Sequence, residues 1–439
     1  MSRTIEQREI SMDKLSNLCV EYKTKFSEKS KMVPAYSVND DKTVSIPLYY
    51  YYHMLDKKKA IGACGHERSL SLNQSFKLRP YQSKEDERCM KLLKEKGTLF
   101  LNVRCAWGKT AMGLHLLSKL GGRCMIMHDN SVIETGWVNS IRKYSPSTSF
   151  KFIESSVNYS DDRDTTLFIA SVNTLSNMKR EFMPRNLNSV FVDEAKCFCT
   201  ELRIKQLLKC ECNYLIGASA DIERSDNMHN ALYMFYGPRD SFVYSEWQGD
   251  FDYVLFNTNI VPDMKFNTVG YGINAKKVLD WNNLLRSISN SDSFNSLIVN
   301  TALLFSKNKI LVLTKFKRQL NVLYKMMIDR GVDAVRLTGK ASTHRDADVV
   351  IATIKKAYKG YDVANASESW DGRNFEVIIS ATDIGTEIVQ SFGRGFRHSH
   401  PIIVDFCHNM TRLRQHQGER QNWCVERGAS VHKFSVSIE

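Results

Sequence analysis

The sequence predicts an α/β protein: two parallel-sheet domains with crossover helices, in series behind a small N-terminal module. Three observations predict it. Short apolar strands alternate with amphipathic helical stretches, which is the pattern of a parallel sheet with crossover helices. The alternation occurs twice along the chain. At 439 residues the chain is too long for one compact core and suits two medium domains plus a smaller piece.

In the first half the strands are TLFLNV (98–103), RCMIM (123–127), TLFIAS (166–171), SVFV (189–192) and NYLIG (213–217). Helical patterns fall at 109–120, 131–144 and 200–210. The second half repeats the theme with KILVLT (309–314), a helix at 315–330, AVRL (334–337), DVVIAT (348–353), FEVIIS (375–380) and PIIVDF (401–406). Residues 1–75 follow another rule, with a tyrosine run from Tyr49 to Tyr52 and little helical period. The stretch 238–280 is mixed and reads as a connection, and the polar 362–374 as an exposed loop. The expected organisation is an accessory module at 1–75, a first domain at 76–238, a linker at 239–280 and a second domain at 281–439.

Composition is that of an ordinary soluble globule, with 43% hydrophobic, 25% charged and 10% aromatic residues. No apolar run approaches the roughly 18 residues needed to span a bilayer. Arg3, Glu6, Arg8, Glu9, Asp13 and Lys14 exclude a secretory apolar segment at the start. The expectation is an intracellular, soluble protein that is not secreted and not membrane-bound. A formal charge of +13 and a pI near 9.1 suit a polyanionic partner, because neutralised phosphates release counterions. Cys197, Cys199, Cys210 and Cys212 form two C-x-C pairs, whereas zinc sites more often use C-x2-4-C. A helix between them would hold the pairs about 15 Å apart, so they are expected to be reduced thiols.

The sharpest local signal is Ala106-Trp107-Gly108-Lys109-Thr110, between a strand and a helix. Backbone amides at such a helix start can cradle phosphates, with Lys109 reaching their oxygens and the Thr110 hydroxyl ligating magnesium. A second signal is Val190-Phe191-Val192-Asp193-Glu194, an apolar strand ending in two carboxylates. Asp193 can hold magnesium there, while Glu194 orients or deprotonates a water. A third is Gln390-Ser391-Phe392-Gly393-Arg394-Gly395-Phe396-Arg397, whose two arginines would share one helix face. Arginine fingers at a γ-phosphate are worth about 10³–10⁵ in rate; the bland alternative is a basic surface turn.

Taken in order, these pieces resemble the motifs of superfamily 2 helicases over residues 76–425. Leu78-Arg79-Pro80-Tyr81-Gln82 looks like the family's adenine-reading opening, and Arg104 to Thr110 like its phosphate loop. Met127 to Trp137 with Tyr144-Ser145-Pro146, and Ile169 to Leu175, are similar to the next two stretches. Asp193-Glu194-Ala195-Lys196 occupies the DEAH-type box. Gly217-Ala218-Ser219-Ala220, then Arg224, Asp226 and Gly237-Pro238, resembles the third motif and its continuation. Ala352-Thr353 with Gly360-Tyr361-Asp362 is similar to the "A-T…G-x-D" motif, and Gln390, Arg394 and Arg397 match "QxxGRxxR". Val33-Pro34 and Ser45 to Tyr50 are similar to the opening of the poxvirus-type transcript-release helicases and their relatives in large DNA viruses.

The resemblance implies two tandem RecA-like domains that bind ATP and Mg²⁺. It implies that Arg79, Gln82, Gly360 and Asp362 contact nucleotide, and that Gln390, Arg394 and Arg397 complete catalysis. Ser219 and Lys196 would couple hydrolysis to movement, with His128, Ser171 and Thr353 near the strand-facing surface. The implied activity is an ATP-dependent DNA helicase or translocase acting on single-stranded or duplex DNA without sequence preference. Its implied setting is viral transcription, with RNA polymerase or other transcription proteins as partners and a cytoplasmic viral factory or the virion as location. Alternatives are a double-strand translocase or branch-migration motor without strand separation, a weakened helicase-fold subunit of a transcription complex, and an RNA helicase.

Three departures stand out. Arg104-Cys105-Ala106 replaces the family's Pro-Thr-Gly, which matters because Ala disfavours the positive φ that Gly takes freely. Lys196 replaces a histidine, and Asp221-Ile222 replaces Thr-Pro. The last two fall at coupling positions, so a working ATPase with altered coupling is expected.

Overall fold

The computed structural model describes all residues except 23–29, 56–68, 246–248, 270–275, 339–342, 359–360, 362, 386–387 and 438–439. The chain divides into two compact units, Met1–Ser245 and Glu246–Glu439.

The first unit is built on seven strands: β1 (Thr98–Val103), β2 (Cys124–His128), β3 (Phe150–Phe152), β4 (Leu167–Ser171), β5 (Leu187–Asp193), β6 (Cys212–Ser219) and β7 (Val243–Ser245). They lie in the order β7-β1-β6-β5-β2-β4-β3, and every pairing is parallel. β5 is buried along its whole length, as a parallel strand covered on both faces should be. Successive residues of β1 feed opposite cores, since strand side chains alternate. Leu99, Leu101 and Val103 join Met112, Leu116 and Trp137 from helices Lys109–Leu120 and Ser131–Tyr144. Phe100 faces the other way, toward Leu175, Ile204 and Leu232.

The N-terminal segment shares that second core through Met1, Val20, Val33, Ala35, Leu48 and Tyr52. Its own antiparallel sheet pairs Ser2–Glu6 and Ser37–Val38 with Thr43–Pro47, above a small cluster that includes Ile5, Leu15, Val44 and Ile46. The tyrosine run is the helix Leu48–His53, which buries Tyr50 and Tyr52.

The second unit carries β8 (Phe251–Thr258), β9 (Ile310–Thr314), β10 (Ala334–Leu337), β11 (Val349–Thr353), β12 (Val377–Ser380), β13 (Ile402–Cys407) and β14 (Ala429–Val436). The order is β10-β11-β9-β12-β13-β8-β14, again parallel throughout. Within 239–280, read in the sequence as a connection, β7 extends the first sheet and β8 lies inside the second. The hairpin Phe266–Val269 with Lys276–Leu279 follows. Two seven-stranded parallel sheets covered by helices are two RecA-like domains, the fold class the sequence predicts.

The second unit buries two ion clusters. Arg420 donates from Nε to Asp405 Oδ2 at 2.7 Å and from Nη1 to Asp383 Oδ1 at 2.5 Å and the Ile384 carbonyl at 3.1 Å. The Tyr253 hydroxyl donates to Asp405 at 2.5 Å. Lys309, its side chain fully buried, reaches Asp346 and Asp371 at 2.7 and 2.8 Å. Cys199, Cys210 and Cys212 are buried free thiols, and burial pushes Cys199 and Cys210 up to about 12. Among the described residues, no helix is long and apolar enough to cross a membrane.

Candidate functional site

The chemistry-bearing residues of the first unit gather where β1, β5 and β6 end. β1 runs into the turn Arg104 to Gly108, and the helix Lys109–Leu120 starts at once. Gly108 precedes the helix with a φ of 95°, a left-handed value that glycine takes freely. Among the described residues no side chain caps this helix, so its first amides and dipole can face an anion. Ala106 has a φ of 62°, the conformation that its replacement of glycine disfavours.

The turn is held from below by the opening residues of helix Pro80–Lys96. The Arg79 guanidinium donates to the Ala106 carbonyl at 2.8 Å, and the Tyr81 hydroxyl to the Trp107 carbonyl at 3.1 Å. Gln82, 1% exposed, donates from Nε2 to the carbonyls of Trp107 and Gly108, each at 3.1 Å. Its Oε1 accepts the Arg79 amide at 2.9 Å. A β-carbon at Gly108 would stand 2.7 Å from Gln82 Nε2, so any larger residue there would have to displace the Gln82 amide as well as take the left-handed φ. Gln82 therefore shapes the turn before the helix. Trp107 is buried in the core, while Thr110 is half-buried at the start of the helix.

Lys109 points from the helix start to Glu194, 85 residues on, with Nζ 2.5 Å from Oε1. Burial works against its charge, but the carboxylates of Glu194 and Asp193 raise it above the ordinary lysine value. Asp193 ends β5 and is buried; its Oδ2 accepts the Trp137 indole at 2.9 Å and its Oδ1 the Glu194 amide at 2.9 Å. Burial raises the Asp193 carboxyl, with Lys109 opposing. Glu194 adopts a φ of 51°, a sparsely populated conformation of the kind that collects at functional sites. Ser219, at the end of β6, lies with its hydroxyl 3.2 Å from Glu194 Oε2 and 2.7 Å from the Asp221 carbonyl. Lys196 forms an ion pair with Asp221.

Such an arrangement can hold a phosphate chain against the helix start, a divalent cation against Thr110 and Asp193, and a water against Glu194. The donor set suits magnesium, a hard cation that takes oxygen ligands, and each Asp193 oxygen keeps a second lone pair. In the sequence Trp137 only closes a motif. Its link to Asp193 depends on packing between helix Ser131–Tyr144 and β5, which no spacing along the chain reveals.

The second unit holds the remaining candidates. Arg394 and Arg397 do not share one helix face: helix Ile388–Phe392 ends before them, and a separate turn of 3-10 helix spans Gly395–Arg397. Gly393 and Gly395 are weak helix formers and interrupt the run. Arg394 is buried, its Nε donating to the Ala357 carbonyl at 3.1 Å, and both arginines line a small crevice with Tyr361 and Phe375. Gly360, Asp362 and the side chain of Gln390 lie outside the described residues. In the first unit, Ser171 caps helix Val172–Asn177, and His128 binds the Asn130 carbonyl and Glu134, with burial lowering its pKa.

No family model matches the chain. A Frog virus 3 (isolate Goorha) protein that bears the name of a helicase is 24% identical over 363 residues, 82% of this chain and 80% of its own. A protein of Acanthamoeba polyphaga mimivirus, named as an ATP-dependent RNA helicase, is 21% identical over 424 residues, 93% of this chain and 79% of its own. Among solved structures, S. cerevisiae Dbp5 bound to RNA and ADP BeF3 has the same fold, with a TM-score of 0.54 and 13% identity. That likeness covers 82% of this chain and 94% of Dbp5.

Proposed function

We propose that this chain, a superfamily 2 helicase of the viral type, is an ATP-driven motor that runs on DNA. The observation that carries the proposal is the pairing of Lys109 with Glu194 above the buried Asp193, where three parallel strands end beside an uncapped helix start. In this reading the phosphates of ATP take Lys109 away from Glu194, and the freed carboxylate accepts a proton from the attacking water. Thr110 and Asp193 hold Mg²⁺, which when bound neutralises phosphate charge. Arg79 and Gln82 support the loop from the adenine side. Gly360 and Asp362 are assigned to nucleotide contact, and Gln390, Arg394 and Arg397 to charge developing on the γ-phosphate.

A net charge of +13 supports a phosphate-backbone track read without regard to sequence, single-stranded or duplex. The likeness of the N-terminal segment to transcript-release helicases supports a role in viral transcription beside RNA polymerase, in the viral factory or the virion. RNA is the second reading, favoured by the name of the mimivirus relative and by Dbp5, which was solved with RNA.

ATP turnover measured with single-stranded DNA, duplex DNA or RNA tests the assignment. Stimulation by DNA at low salt that fades as salt rises is the expected result. Stimulation by RNA alone would transfer the motor to RNA. ATP binding without turnover on any track would leave a helicase-fold subunit in place of a motor.

A further inference from the structure

The two departures from the helicase pattern beyond the phosphate loop meet each other in the fold. Lys196 and Asp221 are 25 residues apart, yet their side chains form an ion pair, 16% and 23% exposed. Lys196 lies two residues after Glu194, in the turn that follows β5. Asp221 lies two residues after Ser219, where β6 has just ended. The Ser219 hydroxyl stands between Glu194 and Asp221, 3.2 Å from Glu194 Oε2 and 2.7 Å from the Asp221 carbonyl.

A hydroxyl has one proton to donate, and both of these neighbours only accept. Ser219 therefore shares its proton between the two, with the shorter contact to Asp221. Whatever fixes the Asp221 backbone decides how strongly that carbonyl competes with Glu194. The ion pair does this, and it ties the turn after β5 to the turn after β6 in a closed ring: Glu194, Ser219, Asp221, Lys196. Each charge also needs the other, since a half-buried charge without a partner is costly.

We infer that Lys196 and Asp221 are a single charge-pair latch that positions Glu194 through Ser219. They are positioning residues, not catalytic ones, and the inference rests on Glu194 being the group that activates water. The latch replaces one coupling device with another, so the two departures are one change and not two losses.

The test is steady-state ATP turnover, with the stimulating nucleic acid, of the wild type, Lys196→Asp, Asp221→Lys and the double charge swap. Each single variant should lower kcat about tenfold while KM for ATP stays within about twofold, and the swap should recover most of the loss. A purely structural pair would not separate kcat from KM in this way. Asp221→Asn, which keeps the shape and removes the charge, gives the same reading should a charge reversal fail to bind ATP. Single variants with wild-type kcat, or a swap no better than the worse single variant, would overturn the latch. A wild type that binds ATP without turnover overturns the motor reading and the latch with it; an active wild type with insensitive variants overturns the latch alone.

Discussion

Both units bury charge, but they do so differently. In the second unit Arg420 is 2% exposed and directs its guanidinium at Asp405, Asp383 and a carbonyl, with Tyr253 adding its own donor to Asp405. In the first unit the Lys109 ammonium has three donor hydrogens and, among the described residues, one carboxylate in ion-pair contact, Glu194. That cluster sits at strand ends beside a turn of strained backbone. A saturated ion network locks a helix to a sheet. A charge cluster at the carboxyl ends of parallel strands lies where sites in open α/β sheets bind their ligands.

The contrast can be broken at its strongest point first. Arg420→Leu leaves Asp405 and Asp383 buried without their cation, and should cost about 3–5 kcal/mol of stability in the second unit. Denaturant unfolding checks this; a variant as stable as wild type would mean the network does not lock the helix. Next comes His408, whose Nδ1 lies 2.8 Å from the Thr258 hydroxyl and which burial depresses from 6.5 to about 4. The folded state holds this ring neutral, so its contribution is intact above pH 6.5 and is lost as pH falls toward 4. At pH 5 the loss should be about 2 kcal/mol, absent in His408→Asn. Equal pH dependence in the two proteins would contradict it. The smallest expected effect is in the first unit, where Ala106→Gly relieves a left-handed alanine and should stabilise by about 1 kcal/mol or less. A fall in melting temperature would show that the turn is not strained.

Much of this was legible in the sequence because parallel strands buried on both faces are unbroken apolar runs. TLFLNV is β1 to the residue, and the helix at 109–120 has the same bounds in the structure. β14 was missed because ASVHKFSV is an edge strand, mostly exposed and without an apolar rhythm. The N-terminal segment gave no sign that Leu48 and Tyr52 enter the core of the first sheet, since its strands are short and its helix is six residues long. Within the site, the turn with Lys109 and the strand ending in Asp193-Glu194 announce themselves by local pattern, and the fold brings them together. The links from Trp137 to Asp193 and from Lys196 to Asp221 are tertiary. Each partner is visible in the sequence; the contact is not. Spacing alone puts Arg394 and Arg397 on one helix, and two glycines overrule that spacing.

The most direct measurement is ATP turnover by the wild type and Glu194→Gln, with unfolding followed on the same preparations. The account predicts hydrolysis by the wild type and a loss of about 10²–10³-fold in the variant, with stability nearly unchanged. A variant that turns over like the wild type, or a wild type with no turnover on any nucleic acid, would contradict the claim that the first unit's charge cluster is a catalytic site.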